Sequence, residues 1–285
     1  VTTPGSAPRT RLLLLDFDGT VCLGDDPVLA YAARVDAILT ERGQQPLIRD
    51  AVARAFAADD LLVEEIAYDE YGVPLGVEQE PGHRLAADGT AHSAHPVSWP
   101  VQDGYQLVQL LARQAGLSDV EAGQAFLGGR EDLLARGLES TDVHAPDGLA
   151  ELLEQVRRTA LVVLVTNSPA GAFAPWLRAL GLTEAFDAVI NDARKPFGMP
   201  EALRLACAVE SPERPIAADQ VLSVGDIWRN DLAPVAALGG TTLLLDRFAT
   251  GLGEPDHRAR RVADAVDIIG SWAGQESQLH GGVPG

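Results

Sequence analysis

Arg11-Leu12-Leu13-Leu14-Leu15-Asp16-Phe17-Asp18-Gly19-Thr20 is the stretch whose reading settles the fold. A short apolar run stops abruptly at a carboxylate. Four further runs are built alike. Residues 161–165 (Leu-Val-Val-Leu-Val) end in Thr166-Asn167-Ser168, and residues 187–191 (Asp-Ala-Val-Ile-Asn) form a weaker run. Residues 221–224 (Val-Leu-Ser-Val) end in Gly225-Asp226, and residues 241–245 (Thr-Thr-Leu-Leu-Leu) end in Asp246. Runs this short, with little alternation, predict strands buried on both faces of a parallel sheet. Helical spacing fills the gaps between them. Over 148–158 it groups Leu149, Leu152, Leu153 and Val156; over 171–180 it groups Phe173, Trp176, Leu177 and Leu180, with Gly181 as a stop. Residues 200–209 and 231–238 are similar. Strands alternating with helices predict an α/β protein, a three-layer α/β/α sandwich with a Rossmann-like parallel sheet. In such sheets the site lies beyond the carboxyl ends of the strands. Four of the five runs end there in polar residues suited to chemistry.

The alternation breaks directly after the first strand. Residues 22–144 show helical spacing at 28–39, 47–56, 61–71, 105–115 and 118–127, and no convincing parallel strand. They predict an inserted, mainly helical domain. Residues 72–100 are poor in aliphatics and rich in Gly, Pro and His, which predicts loops or a short hairpin. The expected organisation is a flexible arm over 1–10, a core from 11–21 and 145–273, the insertion over 22–144, and a flexible tail over 274–285.

Composition narrows the function. No apolar run approaches the ~20 residues of a membrane span, and the polar start does not resemble a secretion signal. The two cysteines, Cys22 and Cys207, are no disulfide framework and suit a reducing cytoplasm. Against 22 basic residues stand 41 acidic ones, a net charge of −19. That surface repels nucleic acid and anionic membranes. It also repels phosphate esters, so a phosphate site here must supply its own positive charge. Lys195 is the only lysine; every other basic residue is arginine.

Asp16 and Asp18 stand two positions apart, so on an extended strand end both carboxylates face one side, and Gly19 lets the chain turn. Asp226 ends another strand and Asp231 follows five residues later. Four acidic groups can thus converge from two strand ends; a bound cation would account for like charges so close, and hard oxygen ligands suit Mg²⁺. Each motif alone could be a simple turn; their order along the chain, each at a strand end, makes the case.

With these motifs the chain resembles the haloacid dehalogenase-like hydrolases. Asp16-Phe17-Asp18-Gly19-Thr20-Val21 matches that family's first motif, and Val165-Thr166-Asn167-Ser168 the second. Lys195-Pro196 matches the third, and Val224-Gly225-Asp226 with Asp231 the fourth. The insertion falls where the family carries a helical cap. The resemblance implies an Mg²⁺-dependent phosphatase acting on a small phosphorylated metabolite. Asp16 would be the nucleophile, forming an aspartyl-phosphate, and Asp18 the general acid and base. Mg²⁺ would be held by Asp16, the Asp18 carbonyl and Asp226, with Asp231, Gly19 and Thr20 in support. Thr166, Asn167 and Lys195 would bind phosphate.

The match has departures. The third motif continues Phe197-Gly198-Met199-Pro200 rather than the frequent Lys-Pro-x-Pro, and Trp228 is bulky within the fourth. In the insertion, Gly128-Gly129-Arg130 reads as a loop that could bring Arg130 to the substrate, or as a helix end. His83, His92 and His95 read as surface loop residues, and Trp99 and Trp176 as packing.

Other chemistries are weighed by the same residues. A carbon–halogen hydrolase needs no acid at the Asp18 position. Schiff-base phosphonate hydrolysis needs a cap lysine, and residues 22–144 contain none. A phosphosugar mutase and a non-catalytic binding protein on the same core are the alternatives.

Overall fold

The computed structural model describes residues 9–61 and 101–274, together with the backbone of residues 66–68 and 97–99. The chain opens with β1 (Arg11–Leu15) and leaves the sheet for α1 (Asp26–Glu41), α2 (Ile48–Ala58), the short strands β2 (Ile66–Tyr68) and β3 (Val97–Trp99), α3 (Gly104–Gln114) and α4 (Asp119–Arg136). It returns through α5 (Leu149–Val156), β4 (Ala160–Val165), α6 (Ala174–Ala179), β5 (Ala188–Ile190) and α7 (Met199–Cys207). It finishes with β6 (Val221–Gly225), α8 (Ala233–Ala236), β7 (Thr241–Leu245), β8 (His257–Ala259) and α9 (Val266–Trp272).

Six of these strands form one parallel sheet in the order β5-β4-β1-β6-β7-β8. Helices cover both faces, which gives the three-layer α/β/α core that the apolar runs predict. The register sets Leu15 beside Leu164 on one side and Val224 on the other. The ends of β1, β4 and β6, where the polar motifs begin, therefore lie level. Leu12 through Leu15 are at most 1% exposed, as expected of the central strand, and each such leucine contributes roughly 1.5–3 kcal/mol by leaving water. Leu12, Leu14, Leu161, Val163 and Val221 pack on one face against Leu203 and Ala206 of α7 and Val235 of α8.

The sixth strand, β8, escapes the sequence reading because it is a polar edge strand, His257-Arg258-Ala259, with no apolar run to mark it. Among the described residues no helix is long and apolar enough to cross a membrane.

The structure divides into two compact units. One, containing the sheet, runs to Leu23 and then takes His144–Arg247 and the chain from Gly253 onward. The second takes Gly24–Val143 and a five-residue return, Phe248–Leu252. Its core is helical: Val28, Tyr31, Val35 and Leu39 of α1 pack with Val52 and Ala55 of α2, Leu107 and Val108 of α3, and Ala122 and Ala125 of α4. Phe248 stacks on Phe56 of α2, with ring centroids 5.9 Å apart.

Two expectations for this second unit need correction. Helical spacing over 61–71 gives way at 66–68 to a strand, paired antiparallel with Val97–Trp99. Ile66-Ala67-Tyr68 is too short for periodicity to separate helix from strand, and a cross-strand partner decides it. Residues 69–96, with His83, His92 and His95, lie outside the described residues. Secondly, Gly128-Gly129-Arg130 is neither a loop nor a helix end but the middle of α4. Gly129 is there for close helix packing: a Cβ at this position would lie 2.8 Å from the Tyr31 backbone nitrogen on α1. Arg130 is 7% exposed, its guanidinium 5.7 Å from the Phe126 ring centroid.

Candidate active site

The site is assembled at the C-terminal edge of the sheet, within the first unit. Asp16 prolongs β1 by one residue, its N–H donating to the Val224 carbonyl at 3.0 Å. Phe17 then turns inward. It is fully buried, edge-on to Phe173 at 4.6 Å and to Trp176 at 6.4 Å. Trp176 is thus core packing, as its helical spacing suggests. With Phe17 anchored below, alternation leaves Asp16 and Asp18 on the other side. The chain then coils tightly: the Phe17 carbonyl accepts from the N–H groups of Val21 and Cys22 at 2.9 and 2.8 Å. Gly19 takes φ +77°, and a Cβ there would fall 2.1 Å from Asp226 Oδ2. The glycine is required both for the turn and for the approach of the Asp226 carboxylate.

Asp226 and Asp231 come from the loop after β6. Residues Trp228–Leu232 form one wide helical turn that points Asp231 back under the strand end. Asp231 Oδ2 accepts the Ile227 N–H at 3.0 Å, and its carbonyl accepts the Ser223 hydroxyl at 2.7 Å. Its other carboxylate oxygen accepts from the Lys195 ammonium at 2.6 Å. The same ammonium also pairs with Asp16. All three side chains are at least 90% buried.

The second motif supplies hydroxyl and amide groups. Thr166 is 1% exposed, and its hydroxyl accepts the Ser168 N–H at 3.0 Å. The Ser168 hydroxyl donates to Asp18 Oδ2 at 3.3 Å. Asn167 Oδ1 accepts the Lys195 N–H at 2.7 Å, and Asn167 Nδ2 donates to the Lys195 carbonyl at 3.3 Å. Sequence reasoning assigned no role to Ser168. Its position two residues past Thr166 on an extended segment was the available signal.

Asp16, Asp226 and Asp231 each offer a carboxylate oxygen within 4.8 Å of the others. The Lys195 ammonium pairs with two of these three, Asp16 and Asp231. Burial pushes the Asp16 carboxyl up, with Lys195 opposing and Asp231 adding to the rise. Burial by itself would lower the Lys195 ammonium, but attraction to Asp16 and Asp231 outweighs it and holds Lys195 charged. Two ligand oxygens about 2.1 Å from one Mg²⁺ lie at most about 4.2 Å apart. Oxygens that all lie within 4.8 Å of one another come close to that limit, and all-oxygen donors suit a hard cation, so the residues fit the ion.

Comparison with known proteins gives the family. Residues 10–239 match the haloacid dehalogenase-like hydrolases. The chain belongs to that family of hydrolases. Solved structures similar in fold include a predicted phosphoglycolate phosphatase from Haemophilus somnus 129PT, at 16% identity and a TM-score of 0.54, covering 90% of this chain and 97% of that one. A HAD phosphatase from Thermococcus onnurineus is similar at 18% identity and a TM-score of 0.50, covering 91% and 98%. YfnB from Bacillus subtilis, bound to magnesium, is similar at 16% identity and a TM-score of 0.51, covering 92% and 99%. No curated protein matches the chain significantly. Arg130 belongs to the helical unit.

Proposed function

We propose that the protein is an Mg²⁺-dependent phosphatase that hydrolyses a small phosphate monoester through an aspartyl-phosphate on Asp16. The observation that carries this reading is the buried cluster of Asp16, Lys195, Asp226 and Asp231 beside an oriented Asp18.

Mg²⁺ would be held by Asp16, Asp226 and the Asp18 carbonyl, with Asp231 in support, and would supply positive charge against the phosphate oxygens. The chain's own groups do the rest. Asp16 forms a bond to phosphorus while the ester bond breaks, and the departing oxygen takes a proton from Asp18. Asp18 then removes a proton from water, whose oxygen attacks phosphorus and releases Asp16. Lys195 offsets charge on the nucleophile and on the phosphoryl oxygens, and the Thr166 hydroxyl donates to one of them. An acid at position 18, held by Ser168, serves a leaving alkoxide; a departing halide would not need it. We assign the helical unit the role of a cap that reads the leaving group.

The test is phosphate release from p-nitrophenyl phosphate and a panel of phosphorylated metabolites. Turnover is expected with Mg²⁺ and is abolished by EDTA. Asp16→Asn should lower kcat by at least 10³-fold and leave the circular dichroism spectrum unchanged. Full activity in that variant, or turnover independent of divalent metal, would sink the assignment. Isomerisation of a sugar phosphate without phosphate release would move it to the mutases.

A further inference from the structure

Asn167 stands among the residues expected to bind phosphate, yet its amide already makes two hydrogen bonds to the backbone of one residue, using one of its two N–H donors. Oδ1 accepts the Lys195 N–H at 2.7 Å, and Nδ2 donates to the Lys195 carbonyl at 3.3 Å. This orientation of the amide is fixed by chemistry, since a peptide N–H can only donate and a carbonyl only accept. The two bonds reach the two peptide groups that flank the Lys195 Cα. Holding both planes fixes the direction in which the side chain leaves the backbone.

That direction matters at this residue. The Lys195 side chain is 4% exposed, and its ammonium is shared between Asp16 and Asp231. It has no room to recover by swinging through solvent if the backbone shifts. The neighbouring chain is laced to the second motif by backbone bonds only as far as Ala193: Thr166 N–H to Ile190 O at 2.9 Å, Asp192 N–H to Ser168 O at 3.1 Å, and Ala193 N–H to Thr166 O at 3.0 Å. Arg194 takes φ +51°, so the chain turns away from that ladder just before the lysine. Asn167 continues the ladder by one residue with its side chain, where the backbone can no longer do so.

We propose that Asn167 is a positioning residue: it sets the backbone of Lys195, and so the placement of the ammonium against the nucleophile, rather than contacting phosphate. The inference rests on the phosphatase reading for its kinetic consequence, but the contact itself does not. Misplacing a charged group by a fraction of an ångström costs roughly ten- to a hundredfold in rate.

Two variants separate the roles. Asn167→Ala removes both bonds. Asn167→Asp keeps the acceptor for the Lys195 N–H and adds a negative charge. If Asn167 positions Lys195, kcat on p-nitrophenyl phosphate should fall ten- to a hundredfold in Asn167→Ala and recover by several-fold in Asn167→Asp. If it faces phosphate, the carboxylate repels substrate, and Asn167→Asp should be the worse enzyme with a raised KM. That order, or wild-type kinetics in Asn167→Ala, overturns the proposal. Amide hydrogen exchange over residues 191–198 gives a second readout without turnover. Exchange should quicken in Asn167→Ala and slow again in Asn167→Asp; equal rates in all three proteins overturn the proposal. A wild-type protein that releases no phosphate would refute the phosphatase reading and leave the exchange comparison to decide on Asn167.

Discussion

Individual side chains do more than one task here, and Asp36 shows it outside the active site. It lies on α1, 9% exposed, and its two carboxylate oxygens accept the N–H groups of Ile48 and Arg49, each at 2.9 Å. These are the first two residues of α2, whose own N-terminal residue Leu47 offers no side-chain cap. One helix thus caps the next. Asp36→Ala should leave two donors without partners and cost the helical unit about 1–3 kcal/mol. Urea unfolding checks this, and a loss below a few tenths of a kcal/mol would show that water replaces the carboxylate. The motif residues obey the same logic. Their chemical types were legible in the sequence because chemistry admits few substitutes. Their partners were not, because Lys195 meets Asp16 across 179 positions and Asp231 across 36.

At the scale of elements, α4 shows how local signals and packing divide the work. Ser118 and Glu121 form a capping box: Glu121 accepts the Ser118 N–H at 2.9 Å and its hydroxyl at 2.7 Å, and it also pairs with Arg42. The Ser118 N–H, then the Ser118 hydroxyl, then Arg42 hold the Glu121 carboxyl down from 4.5 to about 2. A carboxylate depressed by folding stabilises above its unfolded value and loses that contribution as pH falls through its folded value. Glu121→Gln should therefore melt below the wild type at pH 6. The gap should close between about pH 4.5 and pH 2, as thermal melting across that range would show. A gap that is constant with pH would mean the glutamate acts through packing alone. The start of α4 was readable from Ser118, while its continuation through Gly128 and Gly129 was not. Glycines suggest an end, and only the backbone of α1 lying against Gly129 explains its place inside the helix.

For the whole molecule, the net charge of −19 and the proposed phosphate dianion substrate pull in opposite directions. Lys195 and the proposed divalent cation would offset the repulsion locally, but encounter occurs through the outer field. Salt screens that field over about 8–10 Å and reaches the buried pairs far less. The value of kcat/KM for a phosphate monoester at saturating Mg²⁺ should therefore rise as ionic strength increases from about 10 to about 150 mM. A steady fall would mean that local positive charge, not the acidic surface, governs encounter.

The sequence by itself determined the buried parallel strands, the insertion after the first of them, and the residue types at the strand ends. Short apolar runs and acid–glycine turns carry that information locally. Tertiary structure alone decided β8, which has no apolar run, and the helical interior around Gly129. It also brought Asp16, Lys195 and Asp231 into one buried group, and set the Asn167 amide against the backbone of Lys195. The physical reason is common to all four. Each depends on what lies beside a residue in space, and hydrogen bonding and close packing act across distances that periodicity along a chain does not record.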